Sequence, residues 1–358
     1  LTALAALLFL TIMVGSLLAL VHFTRLQPSL SATSTPTPSL STPRPIPGYP
    51  YPTPGNTVSV SQPSPACFSG LTWSPDSKQV AASTQGKVWI WGSLANGQPL
   101  IFDPSADNGS VVLAWSPGAP RLAVGSNQVQ LIDPGNGVEI SHYPALSSFS
   151  AGNSAARVTA LAWSPDGTRL AVATHDPVSG NTVHIWIVKT GTLVYTFTHQ
   201  RSGAAITAVS WSSDGRFIAS ANAQSVQAWN VVSGVVQFQQ TVSAATNVAW
   251  SPGANNAGWL AFANGSTTGV WDIWSRKMVS SYPDTAGGVL AWAPNGQYLA
   301  SASGSAVVIW DANIGAHLYT YTGDTHPVDA LAWSQDGNYL ASGESSPSGA
   351  NVVRIWSA

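Results

Sequence analysis

Leu161-Ala162-Trp163-Ser164-Pro165-Asp166-Gly167-Thr168-Arg169-Leu170-Ala171 is the stretch on which the fold turns. Leu161 to Trp163 is apolar and strand-prone, Ser-Pro-Asp-Gly is turn chemistry, and Leu170-Ala171 starts a second apolar run. The unit is therefore a hairpin, and the chain repeats it. The same pattern reads LTWSPDS at Leu71, LAWSPGA at Leu113, VSWSSDG at Val209, VAWSPGA at Val248, LAWAPNG at Leu290 and LAWSQDG at Leu331. The marker tryptophans are Trp73, Trp115, Trp163, Trp211, Trp250, Trp292 and Trp333, spaced 42, 48, 48, 39, 42 and 41 residues apart.

Between markers there is room for four short strands. After Gly288–Trp292, the turn Pro294-Asn295-Gly296 leads into Tyr298–Ser301. Gly304-Ser305 turns the chain into Ala306–Trp310, and Asp311–Gly315 turns it into His317–Tyr321. A four-strand meander repeating every 40 residues or so is the signature of a propeller blade. The expected fold is all-β, a seven-bladed β-propeller of four-stranded antiparallel blades over residues 57–358. After Val352–Trp356 only two residues remain, so blade seven lacks a fourth strand at that end. Thr57–Ser61 has the length to supply it, with Val58 and Val60 on one side, leaving no open edge.

A second set of tryptophans marks the third strands: Trp91, Trp186, Trp229, Trp271, Trp310 and Trp356, with Ile132 in blade two. VVIWDANIG at Val307 and VWDIW at Val270 resemble WD40 repeats, whose third strand ends in Trp-Asp, and the likeness spans about 300 residues. The TolB-like propellers share Trp-Ser-Pro-Asp-Gly but lack that ending. WD40 blades often carry a buried His, Ser/Thr, Asp and Trp network. Here Asp324 stands in the His position before blade seven. The second-to-third turns Gln85-Gly86, Ser126-Asn127, Ala223-Gln224 and Gly304-Ser305 lack Asp. The resemblance thus implies a ring in which most blades lack this network and rely on apolar packing.

Residues 1–23 carry no charged side chain, and about 20 such residues suffice to cross a bilayer. No small-residue cleavage site follows, so 1–24 reads as a retained transmembrane helix. Residues 25–56 read as a Pro/Ser/Thr-rich linker. Between 26 and 66 there are eleven prolines, and Arg44 is the sole charge. Such a segment favours extended polyproline II and cannot bury a core, which makes it a stalk. The first residue is Leu1, which leaves room for an upstream domain.

Charged residues make up 8% of the chain and the net charge is -2, so there is no basic stripe for nucleic acid. Cys67 is the only cysteine; it permits neither an intrachain disulfide nor a cysteine metal site, and reads as a buried, inert thiol. Gly86-Lys87-Val88 is no phosphate loop, and no HExxH or Gly-x-Ser-x-Gly occurs. The pairs His175/His184 and His317/His326 fall in different elements and read as surface or packing residues. Asp76, Asp166, Asp214 and Asp336 recur at one turn position, where each is expected to accept local backbone bonds rather than join a calcium site. No cofactor or metal is expected, and no catalytic residue.

In WD40 propellers that bind peptides, the starts of the first strands line one channel mouth. By that resemblance the candidate positions are Ser69, Val111, Thr159, Thr207, Thr246, Gly288 and Asp329, four residues before each marker Trp. The set is small and mildly polar with one charge, which suits a neutral or weakly cationic peptide. The expected function is a membrane-anchored, non-catalytic protein-interaction platform, with its propeller outside the cytoplasm and residues 1–23 as its membrane contact. Helix, Pro/Thr stalk and propeller together also resemble the extracytoplasmic half of bacterial receptor Ser/Thr kinases, which would put a kinase upstream of Leu1. A propeller hydrolase would need an acid/base pair in the channel, where only Asp329 offers itself.

Overall fold

The computed structural model describes residues 57–58, 67–92, 99–104, 110–143, 157–176, 180–199, 204–243, 245–264, 267–283, 288–346 and 351–357. The expected transmembrane helix at 1–24, the linker at 25–56 and residues 59–61 of the closing strand lie outside these. Among the described residues, no helix is long and apolar enough to cross a membrane.

Seven four-stranded antiparallel sheets follow one another. Blade six comprises Leu290–Trp292, Tyr298–Ser303, Ala306–Asp311 and His317–Tyr321. In blade seven, Val328–Trp333, Tyr339–Glu344 and Val352–Ser357 are joined by Thr57–Val58 as outer strand. Thr57 lies opposite Arg354 and Val58 opposite Val353. The first strands of successive blades adjoin from one to seven, and blade seven's adjoins blade one's, so the sheets form a closed ring.

Sequence dictates the hairpin locally. In blade three, Ser164 Oγ donates to Asp166 Oδ1 at 2.5 Å, and that oxygen accepts the Thr168 amide at 3.1 Å. Gly167 closes the turn onto the Ser164 carbonyl with φ of +66°, where a side chain is disfavoured. The same Ser–Asp bond, 2.6 Å long, recurs at Ser74/Asp76, Ser212/Asp214 and Ser334/Asp336.

Among the described residues there is no single core. Apolar side chains gather in seven clusters, each between the facing sheets of two neighbouring blades. A blade is thus buried on both faces. That is why the inner strands, such as Leu122–Gly125 and Phe217–Asn222, are buried throughout and do not alternate with polar residues.

Two sets of aromatic contacts tie the blades together. The marker indoles donate to the carbonyl just before the preceding blade's marker: Trp73 to Ala332 at 2.9 Å, Trp115 to Thr72 at 3.3 Å, Trp163 to Ala114 at 2.9 Å, Trp211 to Ala162 at 3.0 Å and Trp292 to Ala249 at 3.0 Å. The indole nitrogens of Trp250 and Trp333 are buried and have no such partner. On the outside, an aromatic residue of the fourth strand of blades two to six packs on the next blade's third-strand tryptophan. The centroid distances are 5.4 Å for Tyr143–Trp186, 5.5 Å for Phe197–Trp229 and 6.0 Å for Phe238–Trp271. Tyr282–Trp310 at 4.8 Å and Tyr321–Trp356 at 4.2 Å continue the series. Such pairs add about 0.5–1.5 kcal/mol each to the area they bury.

Candidate functional site

At one end of the ring the first strands open on a cavity of about 480 Å³. Five of the seven mouth positions line it: Ser69, Thr207, Thr246, Gly288 and Asp329. Val111 is fully buried, and neither it nor Thr159 is part of the lining. Phe68, Asn247 and Val328 complete much of the wall.

The hydroxyls at these positions are largely spent on the ring itself. Ser69 Oγ donates to the Val111 carbonyl at 2.8 Å, Thr207 Oγ1 to the Ala245 carbonyl at 3.3 Å and Thr246 Oγ1 to the Gly288 carbonyl at 3.1 Å. Each bond runs from one blade to the next, so three mouth residues belong to a belt that satisfies buried backbone groups. Gly288, at φ of +67°, makes room for Thr246: a Cβ there would collide with Oγ1. Asp329 differs from these. It carries the only carboxylate among the described lining residues, and its Oδ2 is buried without a hydrogen-bond partner. Among the described lining residues, the one other acidic side chain is the Cys67 thiol.

Cys67 corrects the sequence reading: it is exposed at the edge of this cavity, not buried. The buried place is taken by Phe68, which packs against Gly343, where even a methyl group would come within 2.9 Å of the ring.

A second polar group stands beside the mouth, in blade seven. Asp324 Oδ1 accepts the Ser342 hydroxyl at 3.1 Å and lies 3.2 Å from Arg354 Nε, in an ion pair too poorly aligned to count as a hydrogen bond. Arg354 Nη2 donates to Glu344 Oε1 at 2.7 Å. Glu344 Oε2 accepts the amides of Thr325 at 2.5 Å and His326 at 2.8 Å. Asp324 and Glu344 are both buried, at 5% and 1% exposure. Burial pushes the Asp324 carboxyl up, and with Glu344 close by it reaches about 6 despite Ser342 and Arg354. Burial also works on Glu344, but the His326 amide, the Arg354 guanidinium and the Thr325 amide hold it below the usual carboxylate range. Asp324 thus occupies its expected position and keeps the bond to a strand serine, with a charged partner added.

Parts of the buried network survive elsewhere. His199 Nδ1 lies 2.5 Å from Ser220 Oγ and Nε2 lies 3.0 Å from Ser225 Oγ, with the ring edge-on to Trp229. In blade six the Trp310 indole donates to Ser301 Oγ at 2.9 Å. The sequence reading passed over His199, because it stands seven positions before Ile206 where Asp324 stands four before Val328.

The turn aspartates are occupied locally. The Ser74 hydroxyl holds Asp76 below the usual range. At Asp166, Asp214 and Asp336 burial pushes up, but the adjoining serine and the next backbone amide outweigh it. Among the described residues, no three His, Cys, Asp or Glu side chains gather as a metal site.

Three stretches, 191–230, 276–311 and 315–357, match the family "WD domain, G-beta repeat". Each takes in the third strand of one blade. The chain is a seven-bladed β-propeller in which these stretches are similar to WD40 repeats. Residues 146–203 also match "Anaphase-promoting complex subunit 4 WD40 domain". Among solved structures, a chain of "Crystal Structure of Mitotic Checkpoint Complex" superposes with a TM-score of 0.69 at 20% identity, over 93% of this chain and 99% of that one. At that identity the likeness speaks for the fold alone. A search of curated proteins found no match.

Proposed function

We propose that this WD40 propeller is a non-catalytic platform for a protein partner, engaged as an extended, neutral or weakly cationic peptide at the channel mouth. The observation that carries the reading is the cavity of about 480 Å³ with Asp329 in its wall and its Oδ2 unpaired. Around it the backbone belt is already satisfied, so the rim is preformed and an entering peptide would not have to order it. A single carboxylate in a wall of small side chains attracts one cation without selecting for many. General acid/base chemistry would need a second group in reach of the first, and among the described lining residues only the Cys67 thiol accompanies Asp329. The platform is held at a membrane by residues 1–24 through the stalk 25–56, with the ring outside the cytoplasm. The uncharged 1–23 segment and the proline-rich stretch after it support this part of the reading.

Selection from a displayed peptide library on the immobilised full chain tests the proposal. Enrichment of sequences with one Lys or Arg, lost on Asp329→Asn, supports it. Failure to enrich any sequence over an unfolded control contradicts it, as would turnover of ester, peptide or glycoside substrates that survives Asp329→Asn.

A further inference from the structure

The segment 322–329 leads from the outer strand of blade six into the mouth, and it is pinned at one point by a buried carboxylate. Glu344 receives the amides of Thr325 and His326, and the Thr325 hydroxyl lies 3.2 Å from its Oε2. Three residues past His326 stands Asp329. Glu344 itself is held by Arg354, and Arg354 is shared with Asp324. One guanidinium therefore serves two buried carboxylates. With Asp324 neutral, the charges balance and Arg354 belongs to Glu344. With Asp324 ionised, the site holds an excess negative charge nearly out of water, and Asp324 competes for the same guanidinium.

We propose that Asp324, Glu344 and Arg354 form a charge-responsive clamp, which holds the 322–329 segment and thereby Asp329 in place when Asp324 is neutral and loosens it when Asp324 ionises. This deepens the channel-mouth reading and rests on it for its functional meaning. Asp324 Oδ2 has no hydrogen-bond partner, so inside the ring its ionisation is compensated only through the guanidinium it shares with Glu344. The direction agrees with the upward displacement of this carboxyl by burial and by Glu344. The groups facing the cluster are few. Tyr321 comes from the outer strand of blade six; burial, then Asp324, pushes its hydroxyl up. His326 Nδ1 lies 3.9 Å from Glu344 Oε2 and is the other group able to change charge there. Ser342 and Arg354 complete the surroundings.

Hydrogen exchange of the full chain, read as protection factors with the pH dependence of intrinsic exchange divided out, tests the clamp without any ligand. Protection over 322–329 should fall roughly tenfold between about pH 5 and about pH 8. Asp324→Asn should hold the acidic value throughout, and Asp324→Ser serves as a second neutral replacement should the first not fold. His326→Gln should behave as the unaltered chain. A pH-independent protection factor in the unaltered chain overturns the proposal. So does an Asp324→Asn chain that still responds, or a response abolished by His326→Gln. Because no peptide is present, failure of the clamp leaves the binding proposal standing, and failed peptide selection leaves the clamp standing.

Discussion

The Trp73 indole donates to the Ala332 carbonyl at 2.9 Å, joining the first and seventh blades across 259 positions of sequence. Trp333 has the same place in its own blade, but its buried indole nitrogen has no partner. The pair isolates the worth of one inter-blade bond. Trp73→Phe and Trp333→Phe lose similar ring volume, but only the first strands a buried carbonyl. Trp73→Phe should therefore be the more destabilising by about 1 kcal/mol in denaturant unfolding of the full chain. Equal losses would show that the bond is idle.

Gly288 and Thr246 are expected to be coupled. Gly288→Ala forces a side chain into φ of +67° and against Thr246 Oγ1. The backbone strain alone costs roughly 1–2 kcal/mol. Thr246→Ala removes the obstructing hydroxyl, so the double variant should be less destabilised than the sum of the single ones. Strict additivity in a double-mutant cycle would contradict the arrangement.

Closure of blade seven rests on backbone pairing of Thr57 with Arg354 and Val58 with Val353. Replacing both residues with proline removes the one amide donor of the pair that faces the partner strand, without touching the inner strands. Unfolding free energy should drop by about 1 kcal/mol for each ladder bond lost. Exchange should rise first at Val352–Ser357. Unchanged protection there would mean that this strand pairs with something else.

Residue spacing made the ring readable, because a Ser-Pro-Asp-Gly turn has one local solution, as Ser164, Asp166 and Gly167 show, and seven copies leave little choice of architecture. Properties set between blades were harder to see. Nothing in the sequence around Ser69, Thr207 or Thr246 says that their hydroxyls reach a neighbouring blade's carbonyl, since that depends on how two sheets are staggered. A signal for the outer aromatic contacts was present in Tyr143, Phe197, Phe238, Tyr282 and Tyr321, one in the fourth strand of each of blades two to six. It becomes meaningful once each is seen against the next blade's tryptophan. Cys67 was misplaced because burial was inferred from residue type, whereas Phe68, next in sequence, fits the gap at Gly343.

Stability should respond to pH in two opposed ways. Burial lowers His184 and His199 each to about 4 from an unfolded value of 6.5. Their neutral forms stabilise the fold above 6.5, and that contribution is lost as pH falls through about 4. Asp324, raised to about 6, contributes stability that is fully present below its unfolded value of 3.8 and lost as pH rises through about 6. Asp324→Asn leaves the histidines unopposed, so its melting temperature should fall more steeply than that of the unaltered chain on acidification below about pH 6. His199→Gln should flatten the curve. An Asp324→Asn curve that is parallel or shallower contradicts the assignment.

The central claim, that the mouth bearing Asp329 is the binding surface, is tested most directly by titrating a selected monocationic peptide into the full chain by calorimetry. The account predicts that Asp329→Asn weakens binding by roughly tenfold, in line with loss of one partly buried charge pair, while Lys277→Ala on the outer strand of blade five leaves it unchanged. Equal affinity for the Asp329→Asn and unaltered chains, or a loss confined to Lys277→Ala, would place the binding surface away from the mouth and contradict the claim.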